Sequence, residues 1–113
     1  MLVFHTVPAI DEHYADMSPE DMQAELGLWN TWIGGIAAQG KFISSDALEP
    51  TGKVVTGSKK VVTDGPFTEG KELVSGYLML HADSMEEAVE LSYGCPIYNH
   101  EGTVEVRKIL VYG

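Results

Sequence analysis

Residues 62–72 read Val62-Thr63-Asp64-Gly65-Pro66-Phe67-Thr68-Glu69-Gly70-Lys71-Glu72. In the tripeptide Asp64-Gly65-Pro66 the aspartate can bond its own backbone, the glycine tolerates positive φ and the proline fixes φ, so the stretch predicts a tight turn. Ahead of it, Val54-Val55-Thr56 and Lys60-Val61-Val62-Thr63 flank Gly57-Ser58, which predicts a β-hairpin. Behind it, Leu73 to Ala82 is apolar at nearly every position and predicts a strand. The hairpin and turn are therefore inserted between strands of a larger sheet.

Working toward the N-terminus, Lys41 to Leu48 predicts another strand, closed by the turn Glu49-Pro50-Thr51-Gly52. Before it lies a helix. Ser18 can cap, Pro19 suits the first helical position, and Glu20 and Asp21 favour the positive end of the helix dipole. Met22, Leu26, Trp29, Ile33 and Ile36 then recur at helical spacing, with Leu28, Trp32 and Gly35 on an adjacent stripe. Gly34-Gly35 costs this helix about 1 kcal/mol per glycine relative to alanine; close backbone packing is the simplest compensation. Gly40 ends the helix, and Leu2 to Val7, stopped by Pro8, forms the first strand.

Toward the C-terminus, Asp83-Ser84 starts a second helix with Met85, Ala88, Val89 and Leu91 as its apolar positions, and Gly94-Cys95-Pro96 ends it. Thr103 to Tyr112 predicts the last strand. The order is β-α-β-hairpin-β-α-β, a ferredoxin-like α+β arrangement with an inserted β-hairpin, in one domain over residues 1–113.

Composition narrows the class. With 44% hydrophobic residues the 113-residue chain is a folding composition. A net charge of −10, with basic residues gathered only as the pairs Lys59-Lys60 and Arg107-Lys108, argues against nucleic-acid binding. The single cysteine, Cys95, allows no intrachain disulfide. The N-terminus lacks a signal-peptide pattern and no apolar run approaches membrane-spanning length, so a cytoplasmic protein with no membrane partner is expected.

Side chains alternate along a strand, so Leu78 and Leu80 point one way and Tyr77 and Met79 the other. A sheet apolar on both faces should bury both. With the helices on one face, a second copy of the chain is the expected cover for the other, giving a homodimer.

Several residues could carry chemistry. Asp64 reads either as a general base, which needs partial burial and a raised pKa, or as a turn residue, which needs only its own backbone. Glu69, Lys71 and Glu72 follow closely and read as surface ion pairs or as a brace for the loop. Glu105 and Arg107 share one face of the last strand and could bind a carboxylate, or form an ordinary cross-strand pair. His81 shares a face with Tyr77 and Met79, and His5 belongs near the same sheet centre; each is a candidate for proton transfer or a bonded core histidine. Trp29 and Trp32 read as core or as walls of an apolar ligand pocket. The candidate catalytic residues are thus Asp64, His81 and His5; the candidate ligand contacts are Trp29, Trp32, Phe67, Tyr77, Arg107 and Glu105. The four histidines form no helical i,i+4 pair and have no Cys-x-x-Cys partner, so neither metal nor cofactor is expected. Cys95 lacks the positive setting of a reactive thiol and reads as packing.

Taken in order, Ser18-Pro19-Glu20, Asp64-Gly65-Pro66-Phe67, Lys71-Glu72, Gly76-Tyr77, Glu86-Glu87-Ala88, Gly94-Cys95-Pro96 and Val104-Glu105-Val106-Arg107 resemble the YCII-related family, also called DGPF-domain proteins. The resemblance covers nearly the whole chain. It implies a dimeric α/β-barrel of ferredoxin-like protomers with a pocket between sheet and helices. Some members carry a His and an Asp placed like an acid-base pair, the His early in the first helix. Here residues 19–39 contain no histidine and His13 lies upstream, so the pair fails at the His and only Asp64 matches. The resemblance leaves three functions open. One is small-molecule binding; the second is cofactor-independent acid-base catalysis on a small aromatic or dicarbonyl compound. The third is a regulatory partner-binding module linked to sigma-factor transcription.

Overall fold

The structure, a computed structural model, describes residues 1–6, 17–65 and 72–111. The elements are β1 (Leu2–Thr6), α1 (Pro19–Ala38), β2 (Phe42–Ala47), β3 (Gly52–Thr56), β4 (Val61–Gly65), β5 (Leu73–Leu80), α2 (Met85–Ser92), a 3-10 turn (Pro96–His100) and β6 (Thr103–Val106). Four strands form an antiparallel sheet in the order β2-β5-β1-β6, and β3 and β4 form a separate two-stranded ribbon. Two helices over an antiparallel sheet make a mixed α+β fold consistent with the ferredoxin-like arrangement.

Both helix starts are capped as their sequences predict. Ser18 Oγ accepts from the Asp21 amide at 3.1 Å, and Ser84 Oγ accepts from the Glu87 amide at 3.1 Å. Lys41, just before β2, is bonded to Glu87 and so ties the sheet to α2. No described helix is long and apolar enough to cross a membrane.

The core lies between the sheet and the helices. Leu2, Phe4 and Leu78 point inward from β1 and β5 and meet Ile36 of α1, Cys95 and Ile97. β1 alternates buried and half-buried residues, the mark of a strand with one packed face. Val3 pairs across with Tyr77 and with Glu105, so these residues and His5 share the opposite face. At Gly76 the backbones of β5 and β2 come so close that a Cβ would lie 2.7 Å from the Asp46 carbonyl oxygen. Only glycine fits there.

Four expectations need correction. A Cβ at Gly34 or Gly35 would meet nothing within 4 Å, so these glycines face open space and do not mediate close packing. Leu26, expected on the inward face of α1, is 55% exposed, while Glu25 is buried in its place. Asp64 and Gly65 are not turn residues: they end β4, paired with Lys53 and Gly52. The turn expected from Pro66 onward lies outside the described residues, as does Phe67. The last strand is also shorter than expected, ending at Val106. β6 is an edge strand, and the Met1–Arg107 pair of backbone hydrogen bonds, 2.6 and 2.8 Å, lies just beyond its last strand residue.

Candidate functional site

The helix-side layer holds a carboxylate–imidazole pair beside an aromatic cluster. Glu25, in the second turn of α1, is only 8% exposed. Trp29, one turn later, donates its indole Nε1–H to Glu25 Oε1 at 3.2 Å, the i,i+4 geometry of a helix face. His100, the last residue of the 3-10 turn, places Nε2 3.0 Å from the same carboxylate oxygen. The pair is largely out of solvent, with side-chain exposures of 17% for His100 and 10% for Glu25. Both residues also have partners beyond these bonds.

Around this pair the rings of Phe4, Trp29 and Trp32 stack edge-to-face, with centroids 5.3 to 6.0 Å apart. Trp32 donates Nε1–H to the Leu91 carbonyl at 2.9 Å, which pins α1 to the end of α2. Thr6, two residues beyond Phe4 on the same face of β1, is 3% exposed. Its Oγ1 is the buried side-chain polar atom that lacks a hydrogen-bond partner among the described residues. Such an atom carries a desolvation cost and marks a place where a polar partner gains. A surface cleft of about 430 Å³ adjoins the cluster, lined by Leu28, Thr31, Trp32, Tyr93, Tyr98 and Asn99 among others. Three of these are chain neighbours of Trp29 or lie within two residues of His100. Cys95 also lines the cleft; burial first, and then the nearby Glu25 charge, pushes its thiol up to about 12, so very little of it is thiolate at neutral pH.

A second polar group lies on the opposite face of the sheet. His5 Nε2 sits 3.0 Å from Glu105 Oε1, and Arg107 Nη1 donates to Glu105 Oε2 at 3.0 Å. The Arg107 bond, followed by the His5 bond, holds the Glu105 carboxyl below its ordinary range. Nearby in register, Tyr77 Oη–H donates to Asp46 Oδ2 at 2.6 Å, which raises the phenol.

The residues singled out from sequence therefore divide. His5, Tyr77, Glu105 and Arg107 come together on the open face, and Trp29 and Trp32 on the helix face. Asp64 joins neither group: it is bonded to Lys53 on the ribbon, its side chain 86% exposed, and no bond links it to a histidine among the described residues. His81 follows the end of β5, exposed, its amide donating to the Lys41 carbonyl at 2.7 Å. His13 and Phe67 lie outside the described residues. Among the described residues no group of three or more His, Cys, Asp or Glu is placed to hold a metal ion.

Sequence reasoning missed Glu25, His100 and Thr6. The local signal for Glu25 was its i,i+4 relation to Trp29. His100 lies 75 residues from Glu25, so nothing local joins them.

A protein of Rhizobium meliloti (strain 1021), itself described as uncharacterized, is 28% identical over 87 residues, covering 67% of this chain and 70% of that protein. The profile of the YCII-related domain matches residues 35–112, which include His5's partner Glu105 and Glu25's partner His100. With well over half of its length matched, the chain belongs to the YCII-related domain family.

Proposed function

We propose that the protein binds a small molecule between its sheet and helices, with Glu25 and His100 as the polar anchor and the protein working as a homodimer. The observation that carries this reading is a carboxylate 8% exposed, bonded by an indole and lying 3.0 Å from an imidazole. Removing a carboxylate and an imidazole from water is expensive, and a pair of apolar side chains would fill the same space at lower cost. A few convergent polar groups set among aromatic walls are the make-up of small-ligand sites. Trp29 and Trp32 offer ring faces and edges to an apolar body, and Thr6 Oγ1 offers a polar contact. The ligand class is a compact, mostly apolar molecule with one donor or acceptor for the Glu25–His100 pair. Apolar side chains on both faces of β5 support the homodimer.

The test is native mass spectrometry of protein purified without added ligand, comparing wild type with Glu25→Gln and Trp29→Ala. A reproducible adduct on wild type, weakened in both variants, is the expected result. Equal adduct levels in all three, or a bare protein that no member of a fragment library stabilises against heat, would overturn the reading.

A second reading is cofactor-independent acid-base catalysis on a small aromatic or dicarbonyl compound. The His5–Glu105–Arg107 chain favours it: a carboxylate kept charged by an arginine orients an imidazole, the arrangement that general acid-base chemistry uses. That reading requires His5→Gln to abolish proton exchange from a dicarbonyl probe while Glu25→Gln leaves it intact.

A further inference from the structure

We propose that the surface cleft between α1 and residues 93–99 is a binding site for a small quaternary-ammonium cation, held against the rings of Trp32, Tyr93 and Tyr98. This goes beyond the reading above: it places a second ligand of different chemistry at a different position. The cleft has a volume of about 430 Å³. That lies within the ~300–1,000 Å³ of small-ligand pockets, so a free small molecule is the fitting occupant.

Three aromatic side chains from two chain segments meet at this cleft. Trp32 is held in place from two directions. Its indole Nε1–H donates to the Leu91 carbonyl at 2.9 Å, and a Cβ at Gly94 would lie 2.9 Å from its Cδ1, so the ring lies directly against that backbone. Tyr93 and Tyr98, 68% and 41% exposed, stand on the facing segment, and Leu28, 50% exposed, extends the α1 wall. The Tyr98 hydroxyl lies 3.3 Å from Ser92 Oγ, which braces that ring. Large apolar side chains left open around a concave space are an unspent binding surface. Ring faces gathered in this way attract an alkylammonium group through their quadrupoles, and an aromatic cage is the usual seat of a quaternary ammonium.

Charge selects a cation over a neutral or anionic ligand. No residue lining the cleft is a lysine, arginine or histidine. Both walls come from stretches that hold no Lys or Arg at all: all seven basic residues fall within 41–71 or at 107–108, leaving 1–40 and 72–106 without one. Those same stretches carry Glu20, Asp21 and Glu25 on α1, and Glu90 and Glu101 on either side of the 93–99 segment. The Glu25 charge reaches the cleft itself, since it acts on the Cys95 thiol that lines it. An uncharged aromatic cleft set in a one-signed negative surface draws in a positive ligand and repels an anion. A quaternary ammonium suits it better than a primary amine, because it needs no carboxylate in direct contact and gives up little hydration against the rings.

Choline is the probe, titrated into nitrogen-labelled protein and followed by heteronuclear NMR, with its uncharged tert-butyl isostere dimethylbutanol as the control. The expected result is saturable shifts of the Trp32 indole N–H and of amides within 93–99, with a dissociation constant near ~1 mM. The isostere should bind at least ~10-fold more weakly, since it keeps the shape and loses the charge. Tyr93→Ala should weaken choline at least ~5-fold, while Tyr93→Phe, which keeps the ring, should stay within ~2-fold of wild type. Tyr93 is 68% exposed, so these variants leave the core untouched. Shifts that do not saturate or that centre elsewhere would overturn the site. An isostere that binds as tightly as choline would overturn the cation, and a Tyr93→Ala variant that matches wild type would overturn the aromatic seat.

Discussion

The Glu25–His100 pair gives the sharpest prediction, tested by a double-mutant cycle of Glu25→Gln, His100→Gln and the double variant. In Glu25→Gln the Trp29 and His100 donors lose a charged acceptor 3.2 and 3.0 Å away, in a site where the acceptor residue is 8% exposed. A hydrogen bond to a charged group contributes about 1.5–3 kcal/mol net, and the amide recovers part of it, so the single variant should lose about 2 kcal/mol. For a chain of this length that lowers Tm by about 8 °C. His100→Gln should lose a similar amount, because it leaves the carboxylate short of a partner. The double variant should lose less than the sum, with a coupling of about 1–2 kcal/mol. Chemical denaturation at pH 7 reads all four corners of the cycle. Additivity within ~0.5 kcal/mol would refute the reasoning, since it would mean that the two side chains do not act as a unit.

Three further outcomes follow from other parts of the molecule. Gly76→Ala forces a Cβ against the Asp46 carbonyl at 2.7 Å, and should cost about 3 kcal/mol, whereas Gly34→Ala, with open space around it, should gain up to ~1 kcal/mol from helix propensity; thermal melts showing the two variants alike would contradict the packing described. Cys95, pushed up to about 12, should resist labelling. At pH 7.5 its thiolate fraction falls roughly 3,000-fold below that of a free cysteine, partly offset by about 40-fold greater nucleophilicity, so native alkylation should be at least ~80-fold slower than in denaturant; rapid native labelling would count against it. The Lys41–Glu87 pair sets a pH dependence at both ends. Lys41 lowers Glu87 and Glu87 raises Lys41, so the stability they contribute is lost as pH falls below the ordinary 4.5 through the lowered Glu87 value, and as pH rises beyond 10.5 through the raised Lys41 value. Melting curves from pH 3 to 11 should therefore flatten at both ends in Glu87→Gln, and an unchanged profile would rule the pair out as a contributor.

The amino-acid sequence by itself determined the element order, both helix starts and the inserted hairpin. These follow from local physics: serine caps, proline at a first helical position, and period-2 or period-3.6 placement of apolar groups act within a few residues of one another. It also placed Glu105 beside Arg107, because two residues along a strand return to the same face. What the sequence could not specify was which stripe of α1 turns inward. Leu26 had the expected spacing, yet Glu25 is the buried residue, because Trp29 and His100 repay the cost of holding a carboxylate there. That compensation depends on a histidine 75 residues away, brought to α1 only by the turn before β6. The ends of the strands were also decided at a distance. β4 runs through Asp64-Gly65 because β3 supplies Lys53 and Gly52 opposite them, and β6 pairs as far as Val106, which lies opposite Leu2 of β1. Local preference sets what a segment can become; the partner across the sheet or the core sets where it starts, where it stops and which side it buries.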